Sequence, residues 1–458
     1  MDTDLTMAKR IASAVAEAGG RAYFVGGYVR DALLGRANKD IDIEVHGVPV
    51  ETLERILDSL GECLTMGASF GVMGLRHYGI DIAMPRSEAA TGRGHKDFAV
   101  FVDPFLGEEK AASRRDFTIN AMMQDVLTGE VLDFFGGRGD LEQRRIRHVN
   151  DKSFGEDPLR VFRAAQFAAR FGFRVAEETR ALCAGMPVDA LAGERVMGEL
   201  EKALLKAETP SVFFEELRRM GQLSVWFPEV AALIGVAQPP QYHPEGDVWN
   251  HTMRVINEAA ALRAQAESPL CLMLAALCHD FGKPDTTAEI DGRIRAFGHE
   301  KAGLPLAERF LRRLTSEAKL IQGVANLTAL HMEPNKLVGD GAGVKAFMRL
   351  YDKALCPEDL LLLSKADWLG RKGPEADEGQ RTAAYLSTEE TLWAMLKLYR
   401  ERMAAPCVMG RDLIEAGMKP GPDLGRTLEY VRKLRLAGVG KDEQLKQALG
   451  LLRGSRKA

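Results

Sequence analysis

Along the first 147 residues, short apolar runs alternate with polar positions at a spacing of two and are separated by glycine-rich turns. Tyr23-Phe-Val, Ile41-Asp-Ile-Glu-Val and Gly79-Ile-Asp-Ile-Ala all carry this alternation, which predicts half-buried strands. From about Asp151 the strand pattern disappears. Helical spacing then dominates to the C-terminus, with breaks at Gln238-Pro-Pro, Gly370-Arg-Lys-Gly-Pro and Lys419-Pro-Gly-Pro. There is no internal repeat and no low-complexity segment. The pattern predicts a small α/β head followed by an all-helical body and tail, and 458 residues suit two to four domains.

Composition narrows the class. Hydrophobic residues make up 46% and charged residues 28%, which excludes wholesale disorder. The longest clear apolar run, Leu270 to Cys278, falls far short of the ~20 residues of a membrane span. Met1-Asp-Thr-Asp carries acids where a signal peptide would carry Lys or Arg. Six cysteines without a CxxC pair suit free thiols in a reducing compartment, so a cytoplasmic protein with no membrane partner is expected. Residues 391–458 hold 14 Lys and Arg against 7 Asp and Glu, although the whole chain carries a formal −4. A basic tail on an acidic body suits a polyanionic partner, and equally suits a solvated helical face.

The chemistry begins at Ala22-Tyr-Phe-Val-Gly-Gly-Tyr-Val-Arg-Asp, which reads as strand, turn and helix. Gly26 and Gly27 would let a phosphate approach the backbone, and Arg30 would add a charged fork. Ten residues on, Asp40-Ile-Asp42 places two carboxylates on one strand face, with Ile41 and Ile43 toward the core. Two close carboxylates repel unless a cation lies between them, and paired Mg²⁺ ions are what in-line nucleotidyl transfer uses. Asp81, in a later strand, is expected to complete the cluster.

These segments, with Arg114-Arg-Asp-Phe-Thr-Ile-Asn-Ala-Met, closely resemble the head of the class II tRNA nucleotidyltransferases and bacterial poly(A) polymerases. Thr91-Gly-Arg-Gly-His-Lys-Asp-Phe, Asp133-Phe-Phe-Gly-Gly-Arg-Gly-Asp-Leu, Glu156-Asp-Pro-Leu-Arg-Val-Phe-Arg and Glu194-Arg-Val extend the likeness over about 20–210. The resemblance implies an α+β fold: a mixed-sheet head of the polymerase-β type, then an all-α neck, body and tail. The corresponding domains are 1–147, 148–237, 238–390 and 391–458. It implies Mg²⁺ on Asp40 and Asp42, and nucleotide contacts from Gly27, Arg30, Arg115, Arg160 and Arg163, beside Gly26. Asp116 and Asn120 would serve as structural or ribose-side partners.

Asp157 followed by Pro158 is a good helix start. Capping leaves Arg160 and Arg163, on roughly one helical face, unexplained, while Phe162, Phe167 and Phe171 supply the buried side. Cytosine and adenine both present an exocyclic amino donor beside a ring-nitrogen acceptor. An Asp accepting and an Arg donating complement that pattern, whereas uracil and guanine would leave charged groups unpaired. The resemblance assigns this base selection to Asp157 and Arg160.

Five of nine histidines fall between His243 and His331. Val248-Trp-Asn-His251-Thr and Cys278-His279-Asp280-Phe-Gly-Lys resemble the HD phosphohydrolase superfamily, with Asp367 as the distal aspartate. This implies a divalent ion such as Ni²⁺, Mn²⁺, Co²⁺ or Mg²⁺ on His251, His279, Asp280 and Asp367, with His299 and His331 available for a second ion or a substrate phosphate. His243-Pro-Glu-Gly-Asp-Val-Trp and Gly410-Arg-Asp-Leu-Ile…Gly417-Met-Lys-Pro-Gly-Pro resemble the bacterial members that keep an intact HD site.

The expected activity is CCA addition to tRNA from CTP and ATP, together with metal-dependent phosphohydrolysis. A poly(A) polymerase or a CC-only or A-only enzyme is the close alternative. Gly67-Ala-Ser-Phe-Gly-Val-Met-Gly-Leu lacks the basic pair of the poly(A) branch, and Glu88 to Phe98 resembles a loop that CC-only enzymes tend to lack. A nucleotide-hydrolysing HD enzyme with an RNA-binding head, or a non-catalytic RNA chaperone, fits less well with three head residues, Asp40, Asp42 and Arg115, all present.

Overall fold

The computed structural model describes residues 2–38, 40–65, 72–90, 98–371 and 378–455. The chain forms two compact units, Met1–Trp226 and Phe227–Ala458. Most of Gly67–Leu75 and Glu88–Phe98, the segments read for nucleotide range, lies outside the described residues.

The first unit is built on β1 (Arg21–Val25), β2 (Ile41–His46), β3 (Cys63–Thr65), β4 (Val72–Leu75) and β5 (Ile80–Ala83). The antiparallel pair β6 (Arg86–Ala90) and β7 (Phe98–Val102) stands apart from the main sheet, which β8 (Met123–Asp125) and β9 (Val131–Leu132) extend to the order β3-β4-β5-β2-β1-β8-β9. Alternation along β2 buries Ile41, Ile43 and Val45 in the core and leaves Asp42 and Glu44 partly open on the other face. Because β2 runs parallel to β5, Asp42 lies directly opposite Asp81.

The chain continues through the expected boundary at 147/148 within the same compact unit. β10 (Arg145–Ile146) pairs in parallel with β11 (Arg174–Val175), and the helix Leu159–Phe171 buries Phe162, Phe167 and Phe171 within the same unit. Asp140, fully buried, ties the seam: it accepts from Thr118 Oγ1 (2.5 Å), Arg145 Nε (2.6 Å) and Arg147 Nε (2.9 Å). At Gly137 any Cβ would run into the Thr118 carbonyl. The Asp133–Leu141 motif is therefore a clasp.

The second unit packs the helices Val248–Leu262, Pro269–Cys278, His299–Leu314, Ala318–Leu330 and Pro357–Gly370 against one another. It is not all-helical. β12 (Thr287–Ile290) and β13 (Arg293–Ala296) form a hairpin whose turn residues, Asp291 (φ 54°) and Gly292 (φ 68°), both adopt positive φ. That is the Asp-Gly turn favoured between two short strands. The expected boundary at 390/391 falls inside the continuous helix Glu378–Ala404. Part of the tail's positive charge is consumed within this unit: Arg432 pairs with Asp352 (2.7 Å), Lys441 with Asp412 (2.9 Å), and Arg435 donates to the Arg402, Met403 and Ala405 carbonyls. Among the described residues, no helix is long and apolar enough to cross a membrane.

Removing the buried Asp140 carboxylate leaves the Nε–H groups of Arg145 and Arg147 and the Thr118 hydroxyl without their acceptor. Asp140→Ala should destabilise the first unit by about 3 kcal/mol, read as a lower urea midpoint.

Candidate functional site

A cavity of about 500 Å³ in the first unit is lined on one side by sheet residues and on the other by the helical segment. Asp42, Glu44 and Asp81 come from β2 and β5; Arg160, Arg163 and Arg195 come from helices, and Asp157 from just before the helix Leu159–Phe171. Asp40 lies exposed where the chain enters β2, and Asp81 is exposed on β5. Burial, then Asp81 and Asp40, push the Asp42 carboxyl above its ordinary range, with Arg115 pulling the other way. Such a carboxylate is a natural seat for a cation. Gly26 (φ 64°) closes tightly over this corner: a Cβ there would lie 3.3 Å from Arg115 Nη1 and 3.8 Å from Asp42 Oδ2.

The arginines are held from behind. Arg115 Nη2 donates to Glu44 Oε2 (3.0 Å), while Glu44 Oε1 lies 3.0 Å from His46 Nε2. Arg163 donates twice to Asp116 Oδ2 (2.8 and 2.5 Å), and Asp116 Oδ1 accepts from the Phe117 N–H (2.8 Å) and Asn120 Nδ2 (3.0 Å). Burial would push Asp116 up, but Arg163 and Asn120 hold its carboxyl below the ordinary range. Arg160 donates to the carbonyls of Ser153 (2.7 Å) and Arg114 (2.8 Å). Asp157 accepts from the Leu159 N–H (3.1 Å), as a capping residue does, and from Arg195 Nη2 (2.9 Å).

Arg30 is elsewhere. The residue is 4% exposed, and its guanidinium stacks 4.5 Å over Phe171 and donates to Asp31 Oδ1 (2.9 Å) and Asn120 Oδ1 (2.7 Å). It lies beside Gly27 and, like Gly26, Gly27 and Asp40, is not among the residues lining the cavity. Four charged cavity residues, Glu44, Arg86, Arg114 and Arg195, were not among the expected site residues. Glu44 continues the period of two from Asp40 and Asp42, and Arg195 sits in the Glu194-Arg-Val motif, so both carried a signal.

The second unit gathers the histidine cluster. His251, His279 and Asp367 bring donor atoms within 4.8 Å of one another, and so do Asp280, His299 and His331, all six buried. His251 Nε2 lies 3.0 Å from Asp367 Oδ1, His279 Nε2 3.1 Å from Asp280 Oδ2, and His299 Nε2 3.4 Å from Asp280 Oδ1. His279, His299 and His331 each point Nδ1 at a backbone carbonyl, of Ala276, Ala296 and Thr328. A carbonyl can only accept, so Nδ1 carries the hydrogen and each Nε2 keeps its lone pair for the centre. Burial drives His331 down to about 3, which keeps that ring neutral. Against burial, His279 and Lys283 hold Asp280 well below the usual carboxylate range, and Arg371 and His251 do the same for Asp367. Among the described residues, His279 Nε2, His299 Nε2 and Asp280 Oδ1 are buried without a hydrogen-bond partner, while Asp280 Oδ2 is met by Lys283 Nζ at 2.7 Å. Buried orphan donors of this kind fit a divalent ion.

Residues 22–147 match the family described as the Poly A polymerase head domain, and residues 248–371 match the HD domain. A "Multifunctional CCA protein" of Halorhodospira halophila is 37% identical over 432 residues, covering 92% of this chain and 96% of that protein. The solved Thermotoga maritima CCA-adding enzyme complexed with tRNA shares the fold at a TM-score of 0.61 and 22% identity, covering 98% of this chain and 95% of that one. The Bacillus stearothermophilus CCA-adding enzyme in complex with CTP shares it at 0.65 and 21%, covering 98% and 97%.

The Asp116–Arg163 pair supplies a test of the cavity wall. Asp116 titrates lower folded than its unfolded ~3.9, so its contribution is present above that pH and is lost as pH falls through the folded value. Asp116→Asn should cost roughly 3 kcal/mol at pH 7, and the gap to wild type should close below about pH 4 in urea denaturation.

Proposed function

We propose that this chain, which belongs to the family of the multifunctional CCA proteins, adds CMP and AMP from CTP and ATP to the 3′ end of tRNA. The observation that carries the reading is one cavity holding the Asp42 and Asp81 carboxylates opposite Asp157 and Arg160. Asp40, Asp42 and Asp81 would hold Mg²⁺, and the raised Asp42 carboxyl fits that role. Paired ions, when bound, stabilise the attacking and leaving oxygens of an in-line transfer. Gly26 and Gly27 let the triphosphate reach the backbone, while Arg115 and Arg163 neutralise it from fixed positions set by Glu44 and Asp116.

Base choice falls to the helix start. Asp157 accepts from the exocyclic amino group shared by cytosine and adenine. Arg160 spends two of its five N–H groups on backbone carbonyls and directs a remaining one at the ring nitrogen. Uracil and guanine would confront Asp157 with a second acceptor, and the unpaired carboxylate penalises them. The six free cysteines support a reducing, cytoplasmic setting.

A second activity is favoured by the orphaned donors of the other unit. His251, His279 and Asp367 would hold one divalent ion, and Asp280, His299 and His331 a second. Such ions activate water and polarise a phosphoryl oxygen, which is the chemistry of phosphoester hydrolysis. Lys283, 2.7 Å from Asp280, and Arg371, 2.6 Å from Asp367, restrain the two carboxylates and add positive charge for a phosphate.

Asp42→Ala should lower nucleotide addition at least ~10-fold while tRNA binding stays near wild type; addition above that level would overturn the metal assignment. Asp157→Ala should admit UTP or GTP more than it slows incorporation of CTP. His279→Ala with Asp280→Ala should remove hydrolysis of a 2′,3′-cyclic nucleotide, assayed with Ni²⁺, Co²⁺, Mn²⁺ and Mg²⁺, and spare CMP and AMP addition.

A further inference from the structure

The segment His243-Pro-Glu-Gly-Asp-Val-Trp enters neither activity, yet each of its polar residues is engaged behind the histidine cluster. Three of the four cluster imidazoles rest Nδ1 on a neutral backbone carbonyl. His251 differs. Its Nδ1 lies 2.8 Å from Glu245 Oε1, and the same oxygen lies 2.9 Å from His243 Nδ1. The Glu245 side chain is wholly buried, and among the described residues its second oxygen has no hydrogen-bond partner.

The rest of the segment fixes where that carboxylate stands. Asp247 caps the helix Val248–Leu262 by accepting from the Asn250 N–H (2.9 Å), and its other oxygen accepts from the Gly235 N–H (2.7 Å). Gly246, at φ 109°, makes the turn between cap and carboxylate, where a Cβ would lie 3.3 Å from Asn250 Nδ2. His251 follows in the first turn of that helix, so the cap and the carboxylate set its ring together.

We propose that Glu245 is a positioning residue for the centre, holding the His251 ring with Nδ1 turned back and Nε2 turned toward Asp367 and Asp280, 3.0 and 3.8 Å away. His243 acts through Glu245 and not on substrate. A carboxylate behind an imidazole fixes its tautomer and strengthens it as a ligand more than a carbonyl does. The two donor triads are therefore unequal: the one containing His251 binds an ion more tightly than the one formed by Asp280, His299 and His331. This rests on the reading of the cluster as a metal centre.

The test is a titration of the full chain with Co²⁺ alone, followed by its visible absorption, which reports imidazole ligation and not turnover. Wild type should show a tight phase that His279→Ala removes. Glu245→Ala should weaken that phase about 10- to 100-fold and shift its spectrum. Glu245→Gln should fall between, because an amide oxygen accepts the same N–H without the charge. Glu245→Gln also decides the matter if the alanine variant loses its melting transition. Binding by both variants within about threefold of wild type, with an unchanged spectrum, overturns the role of Glu245 while leaving the metal centre standing. No tight phase in wild type, or one untouched by His279→Ala, overturns the metal centre itself and the proposal with it.

Discussion

Asp42 and Asp81 face each other across the parallel pairing of β2 and β5, and the repulsion between them governs the first unit's cavity. A protein keeps two such carboxylates side by side only if cationic groups approach them. Arg115 is the fixed part of that answer for Asp42, and it packs closely against Gly26, where a Cβ would lie 3.3 Å from its Nη1. Arg115 in turn needs an anchor, which Glu44 provides two positions along the same strand face as Asp42. β2 thus supplies one acid of the pair and the anchor that holds Arg115 near it, and β5 supplies the other acid. What Arg115 leaves uncompensated is available to metal ions and to the phosphates they carry.

The same constraint, met differently, shapes the second unit. Asp280 and Asp367 are fully buried, so their neighbours rather than water must compensate them. Lys283 and Arg371 do so from the periphery, and the imidazoles do so from within. The spacing is enforced by backbone: at Gly282, just after Asp280, a Cβ would run into the carbonyl of His299. The chain carrying Asp280 is therefore pressed against the helix carrying His299, which keeps both residues in one triad.

How far the sequence discloses these sites depends on the range of the interactions involved. The Asp40-Ile-Asp42 spacing, the Gly-Gly turn and the Phe162, Phe167 and Phe171 stripe are local, and strand or helix periodicity suffices to read them. Arg30 is different. Its direction is decided by Phe171 and Asn120, both remote in sequence, so local spacing points it at a phosphate whereas packing draws it inward. Arg195 meets Asp157 across 38 residues and has no local mark beyond its motif. The hairpin at Asp291-Gly292 carried a local signal that the surrounding helical periodicity obscured. The ordered histidines and aspartates carried a signal in the sequence, but their gathering into one buried cluster depends on helices far apart in the chain.

In the proposed reaction protein groups, without a template, select cytosine twice and adenine once. Transcripts of one tRNA ending before CCA, after the first C and after CC separate this from every alternative when each is offered CTP, ATP or both. The shortest transcript should gain two CMP and then one AMP, the longest a single AMP, and none should be extended past the terminal A. Long runs of AMP on any of the three ends, or addition that stops reproducibly at CC with ATP present, would contradict the proposed reaction.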